Sequence, residues 1–274
     1  MIYGFGYLLD NPCFARFFEW MRHRLAEHDY RLIVTDIGLR GENIREYFHI
    51  AEVNRADAIF WIAPSHPEGL RAAVLARRKI PARMPLVLVN DPMCLLLQGP
   101  HRFDLVHYDY SQATRRLVER LFKTGRCFPV LVCRSDVRLF SIDEAKCGFI
   151  SALGERGIKT VASHILKWDP ENPATLRKFW RTRRGHSAPD AFILPYECEE
   201  EFRRALSQAA LPLSANAQMI VFGSRDALWR SPMDFRDMAE TCIDLLLSRF
   251  KRPTRANLRV ALPLPVLQGF LRGG

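Results

Sequence analysis

No two of the seven cysteines in this 274-residue sequence stand in a Cys-X-X-Cys arrangement. Their number is odd and they are scattered (Cys13, Cys94, Cys127, Cys133, Cys147, Cys198 and Cys242). Neither a disulfide framework nor a zinc site is therefore written here, and buried free thiols in a reducing compartment are the expected state. Glycine is scarce, at 15 residues, and no low-complexity stretch or short repeat is visible, which argues against fibrous and solenoid arrays. No apolar run is long enough to cross a bilayer. The opening Met1-Ile2-Tyr3-Gly4 lacks the basic start and cleavage site of a secretory leader, so a cytoplasmic protein with no membrane partner is expected.

Catalytic signatures are missing as well. There is no GxxxxGK[ST] phosphate loop, no HExxH and no GxSxG elbow. Gly4-Phe5-Gly6 lacks the third glycine that lets a helix approach a pyrophosphate, so it makes a poor dinucleotide site. His101, His107 and His186 stand apart from one another and read as structural more readily than catalytic. No enzyme activity, cofactor or metal is expected from this pattern, since function has to be argued from a site.

What is present is a folded, globular composition: 48% hydrophobic, 26% charged and 11% aromatic residues, enough for one large domain or two of ordinary size. The formal net charge is +10 and the pI is about 9.5, a balance that favours polyanions over membranes and speaks to association, not to fold.

Strand and helix patterns alternate along the chain. Ile2–Leu9 is an apolar run of β-formers, and Asn11-Pro12 then suits a helix start. Phe14, Phe17, Phe18, Met21 and Leu25 follow at helical spacing. Strands are expected over 31–35, 58–62, 85–89, 105–107, 129–133, 159–165, 191–194, 219–222 and 258–262. Helices are expected near 70–79, 111–124, 142–156 and 234–250, and Gly125 and Gly157 suit the ends of two of them. Repeated βα units require a mainly parallel sheet covered on both faces. A closed eight-fold barrel fits the count, but two open sheets are preferred because the units fall into two groups around residue 107. Ligands of open sheets bind beyond the carboxyl ends of the strands.

Several segments, in order, resemble the LacI/GalR family of transcription regulators. Asp10-Asn11-Pro12-Cys13-Phe14 is similar to that family's N-P-x-F start, Arg55-Ala56-Asp57-Ala58-Ile59-Phe60 to its third strand, and Pro85-Leu86-Val87-Leu88-Val89-Asn90 to its fourth. Leu121-Phe122-Lys123-Thr124-Gly125-Arg126 resembles its L-x-x-x-G-H, and Lys146-Cys147-Gly148-Phe149 with Gly157-Ile158 its R-x-x-G-F and G-I. Pro189-Asp190-Ala191-Phe192, Val221-Phe222-Gly223 and Ala261-Leu262-Pro263 continue the series.

The resemblance implies an α/β fold of two doubly wound parallel-sheet lobes, of the periplasmic-binding-protein-like type I, joined by three crossovers. One lobe would hold residues 1–107 plus 233–253, and the other 108–232 plus 254–274. It implies a dimeric sensing core that takes a small-molecule effector in the interlobe cleft and controls a DNA-binding headpiece. Because the sequence opens at the first strand of the core, DNA is expected as a partner only through a headpiece that this chain does not carry. The alternative is a stand-alone solute-binding protein of the same fold.

The family's effector contacts are altered. Ala145 stands where the family places a clamping arginine, Tyr196 where a polar residue (usually Asn) follows the strand, and Arg225-Asp226 where the first acid follows G-F. Tyr196, Glu197, Arg225 and Asp226 have the best positional case for ligand. Arg225 and Arg138, with Ser141 as a further candidate contact, would suit a sugar-like or anionic ligand, since arginine matches carboxylate or phosphate in bidentate fashion. Trp168 falls where the family often stacks an aromatic on ligand. Ser65 and His66 follow the third strand and Asp91 the fourth, while Phe14 could line the other lip. The cluster Arg177, Lys178, Arg181, Arg183 and Arg184 suggests a phosphate-facing patch, although a solvated helix end is the commoner outcome. It lacks the interleaved aromatics of a single-strand platform.

Overall fold

The computed structural model describes residues 1–6, 12–37, 44–62, 84–89, 103–126, 128–135, 140–159, 161–181, 188–195, 198–211, 217–222, 230–231 and 235–263, with the side chains at 12–14, 44–45, 140–141, 161, 222 and 230–231 left aside. The chain folds as two compact units, Met1–Tyr108 with Asp234–Leu262, and Asp109–Met233 with Pro263–Gly274, so it passes between them three times.

The first unit is built on a six-stranded sheet. Its strands are β1 (Ile2–Gly6), β2 (Leu32–Asp36), β3 (Ala58–Ile62), β4 (Leu86–Val89), β5 (Asp104–Asp109) and β11 (Arg259–Pro263), in the order β11-β5-β4-β3-β1-β2. β1 pairs in parallel with β2 and β3, β3 with β4, and β4 with β5. Every residue of β1, β3 and β4 is buried, as a parallel strand covered on both faces must be. On one face Tyr3, Phe5, Trp61, Leu86, Leu88 and Leu105 pack with Phe48 and Ala51 of α2 (Ile44–Val53). Against the other lie α1 (Pro12–Ala26), through Phe17, Phe18, Met21 and Leu25, and α7 (Phe235–Lys251), through Met238, Cys242 and Leu246. The first of these helices approaches β1 closely: a Cβ on Gly4 would lie 2.6 Å from the Phe18 ring, and one on Gly6 3.0 Å from it. The Gly4-Phe5-Gly6 glycines thus make room for an aromatic side chain.

The second unit has a five-stranded parallel sheet. Its strands are β6 (Pro129–Arg134), β7 (Ile165–Trp168), β8 (Ala191–Leu194), β9 (Gln218–Phe222) and β10 (Arg230–Ser231), in the order β10-β9-β8-β6-β7. One face (Val130, Val132, Leu166, Phe192, Leu194, Met219, Val221) packs with Leu176 of α5 (Ala174–Arg181) and Phe202 and Leu206 of α6 (Glu199–Gln208). The unit also contains α3 (Tyr110–Lys123) and α4 (Phe140–Glu155), packed on one another. Asp109 caps α3 by accepting from the Gln112 amide at 2.8 Å. Gly125 (φ 83°) and Gly157 (φ 71°) take the left-handed conformation just past the ends of α3 and α4.

Two open sheets with free edge strands rule out the barrel, and the expected architecture of two parallel-sheet α/β lobes is present. Two sequence expectations need correction. Residues 161–164, read as part of a strand over 159–165, form a 3₁₀ turn, and the strand begins at Ile165. His164 sets that turn: its Nδ1 lies 2.9 Å from the Pro129 carbonyl and its ring stacks on Phe128. Residues 254–262, assigned to the second lobe, belong to the first unit. The Leu105 amide donates to the Leu258 carbonyl at 2.8 Å, which sets β11 at the edge of the first sheet beside β5.

Candidate functional site

Open parallel sheets present their ligand-binding loops at the carboxyl ends of the strands. In the second unit that edge contains Cys133 and Arg134 at the end of β6 with Ser135 after them, Trp168 at the end of β7 with Asp169 after it, and Leu194 at the end of β8 with Pro195 after it. β6 and β7 run in register as far as the pair Arg134 and Trp168, and the Ser135 amide donates to the Trp168 carbonyl at 2.8 Å. The Arg134 guanidinium lies 5.6 Å from the Trp168 ring centroid and donates to Glu201 of α6 at 2.6 Å. A half-buried cation is thereby oriented at the end of β6, with an aromatic face and a carboxylate holding it.

Beside it, burial pushes the Cys133 thiol up to about 11, an effect that Lys146 and Lys167 oppose and Asp143 reinforces. Thiolate is the reactive form. At pH 8, iodoacetamide is therefore expected to modify the exposed Cys147 while Cys133 stays intact, and labelling of Cys133 should rise only as the pH approaches that value. Peptide mapping by mass spectrometry reads both sites. Rapid labelling of Cys133 at pH 8 would show that its thiol is not desolvated.

The residues expected at the site fare unequally. Ser65, His66, Asp91, Arg138, Tyr196, Glu197, Arg225 and Asp226 lie outside the described residues. Phe14 falls in α1 and Ser141 in α4, with their side chains outside the description. Trp168 is described and needs correction. It is 0% exposed, its ring meets Phe202 edge-on at 5.1 Å, and it belongs to the core beneath α6. Its surface packs against protein on all sides, so it supports Arg134 instead of stacking on a ligand. Arg134 escaped notice because the strand was read as ending at Cys133; a basic residue directly after an apolar parallel strand was the signal available.

Among the described residues, no group of three His, Cys, Asp or Glu could hold a metal ion, and no helix is long and apolar enough to cross a membrane. His107 is buried at the first sheet, where it accepts from Arg259 Nε at 2.9 Å through Nε2. Because an arginine N–H can only donate, the imidazole proton sits on Nδ1, 2.9 Å from the Tyr108 carbonyl. The ring is thus committed to structure on both sides.

Two open parallel sheets, between which the chain passes three times, define the class: the two-lobed periplasmic-binding-protein-like fold of type I. Within it, the chain has the core fold of LacI-family transcription regulators. It is similar to the Cra transcriptional dual regulator of Pseudomonas putida in complex with fructose 1-phosphate (TM-score 0.66, 17% identity, 97% of each chain covered). It is also similar to a LacI family regulator of Enterococcus faecium with bound ribose (TM-score 0.66, 14% identity, 97% of this chain and 96% of that one). A third, a LacI-type regulator of Bifidobacterium animalis subsp. lactis, gives a TM-score of 0.68 at 15% identity with 98% of each chain covered. No protein-family profile and no curated protein sequence matches the chain.

Proposed function

We propose that this chain is the ligand-sensing core of a LacI-type transcription regulator. It takes a sugar-like or anionic metabolite at the carboxyl ends of its strands and, as a cytoplasmic homodimer, uses that binding to control a DNA-binding headpiece. The observation that carries the reading is a shared two-lobed fold over nearly the whole of each chain, in regulators of which one holds ribose and another fructose 1-phosphate. Hinge closure around a ligand is the way such two-lobed folds convert binding into a change of shape.

The proposed contacts are Tyr196, Glu197, Arg225 and Asp226, with Arg138, Ser141, Ser65, His66, Asp91 and Phe14 as further candidates. The change from a clamping arginine to Ala145, together with Arg225 after the β9 strand and Arg134 at the end of β6, moves the preference toward a phosphorylated or carboxylated sugar.

Calorimetric titration with ribose and with fructose 1-phosphate tests this. The phosphorylated sugar is expected to bind the more tightly, and Arg225→Ala to weaken it at least about tenfold, the effect of one lost charge-assisted contact. The variant should keep the unfolding transition of the parent. Unchanged affinity in the variant would refute the role of Arg225, and absence of heat with every sugar and sugar phosphate would refute the sensing role.

A further inference from the structure

The helix α5 of the second unit contains no acidic residue, and its cations Arg177, Lys178 and Arg181 are all exposed. At helical spacing the three fall within one side of the helix, about a 100° arc. No carboxylate of the described residues pairs with any of them, whereas elsewhere in the unit helices carry acids that engage at least one of their own cations: Arg203 with Glu199 on α6, and Arg115 with Glu119 on α3 and Glu155 on α4. The sequence then continues with Thr182-Arg183-Arg184, again without an acid. The opposite side of α5 is committed to the core. Leu176 is fully buried, Trp180 stacks on Phe192 at 6.1 Å, and Phe179 meets Trp180 at 5.5 Å.

These observations choose between partners. A helix that enters an anionic membrane surface needs an apolar face free to insert, and here that face is packed in the core. A single-strand platform needs exposed aromatic rings between the cations, and here both rings are turned inward. What remains is a charged face without apolar or stacking elements. Such a face suits the evenly spaced phosphates of a duplex, whose contacts are electrostatic and independent of sequence.

We propose that the α5 face of the second unit binds the phosphate backbone of double-stranded DNA. The proposal goes beyond the sensing role: it assigns the core itself a sequence-independent DNA contact through Arg177, Lys178 and Arg181. It also gives part of the net charge of +10 a place in the fold. Effector titration does not involve these residues, so failure of either reading can be told from failure of the other.

The experiment is fluorescence anisotropy of the full chain with a labelled duplex of scrambled sequence, between roughly 50 and 200 mM salt. The variant Arg177→Gln/Lys178→Gln/Arg181→Gln is compared with a charge-matched one, Arg16→Gln/Arg22→Gln/Arg31→Gln, which neutralises exposed arginines of the first unit. The α5 variant is expected to lose on the order of tenfold in affinity at low salt. The slope of log K against log salt should become shallower by roughly 2 to 3, about 0.9 for each phosphate contact. The control variant should retain most of the binding, and all three proteins should melt alike.

Equal losses in both variants would reduce the effect to net charge and overturn the proposal, as would an α5 variant that binds like the parent. Binding of a polyglutamate peptide or of phosphatidylglycerol vesicles that depends on α5, without binding of the duplex, would replace it with an acidic-protein or a lipid surface. If the triple variant melts early, the single charge reversal Lys178→Glu carries the same comparison.

Discussion

Gly148→Ala is expected to destabilise the second unit by about 3 kcal/mol or more, at the upper end of what overpacking usually costs. A Cβ at that position would lie 1.9 Å from the Ser111 carbonyl oxygen, 2.7 Å from its carbon and 2.9 Å from its Cα. All three are backbone atoms at the start of α3, so relief requires the two helices to move apart, not a side chain to turn. Separation would loosen the packing around Leu117, Leu121, Phe149 and Leu153, all buried at 1% exposure or less. Gly154 provides a control within the same helix. Nothing lies within 4 Å of the Cβ it would gain, and Gly154→Ala should stabilise the helix by about 0.5–1 kcal/mol through reduced backbone entropy. Urea unfolding followed by tryptophan fluorescence reads both, with Trp168 reporting from the core of that unit. A Gly148→Ala protein within about 0.5 kcal/mol of the parent would mean that α3 and α4 do not need this close approach.

The same glycine shows what was legible in the sequence and what was not. Gly148-Phe149 stood out as part of a family-like pattern, but the reason for a glycine there is a neighbouring carbonyl 37 positions away in the chain. Strands β3 and β4 were readable because both of their faces are covered, which forces an unbroken apolar run. The helix ends at Gly125 and Gly157 were readable because left-handed backbone has a strong residue preference. The strand before Trp168 was misplaced because the β-branched Thr160 and Val161 suggest an extended segment, while the turn over 161–164 is held by His164 against Pro129, a contact with no local signal.

Trp168 itself carried a local clue that its family position obscured. Leu166 and Trp168 share one face of β7 and Lys167 takes the other, so period-two alternation sends the tryptophan to the core. Most candidate ligand contacts follow strand ends in the sequence. Those positions were legible because the strands that precede them, β3, β4 and β8, are unbroken apolar runs buried on both faces.

The assignment of residues 254–262 failed for a related reason, and the residue responsible is expected to show a large effect when changed. Asp104 is 1% exposed at the start of β5 and accepts four hydrogen bonds. Arg249 Nη2 donates to it at 2.9 Å, Arg255 Nη1 and Nη2 at 2.9 and 2.8 Å, and the Leu258 amide at 2.8 Å. The two arginines also bind carbonyls and a side chain of the turn they enclose: Arg249 donates to the Arg255 carbonyl and to Asn257 Oδ1, and Arg255 to the Ala256 and Leu245 carbonyls. One carboxylate thus holds the end of α7, the turn after it and the entry to β11, across at least 145 positions of sequence.

Asp104→Asn keeps the shape but removes the charge and turns an amide donor toward a guanidinium. Breaking a buried pair while leaving its cations in place costs about 3–5 kcal/mol, and with two arginines dependent on one acid the upper part of that range is expected. Hydrogen exchange should rise first in the peptide spanning 254–263, because the Leu258 amide loses its acceptor and the edge strand its anchor. Glu119→Gln, which breaks the exposed pair with Arg115, should change stability by less than about 0.5 kcal/mol. Changing Asp104→Leu together with Arg249→Met and Arg255→Met should recover much of the loss, since an apolar cluster of similar volume avoids the desolvation of three charges. An Asp104→Asn protein with parental exchange over 254–263 would show that β11 is held to the sheet by its backbone pairing alone.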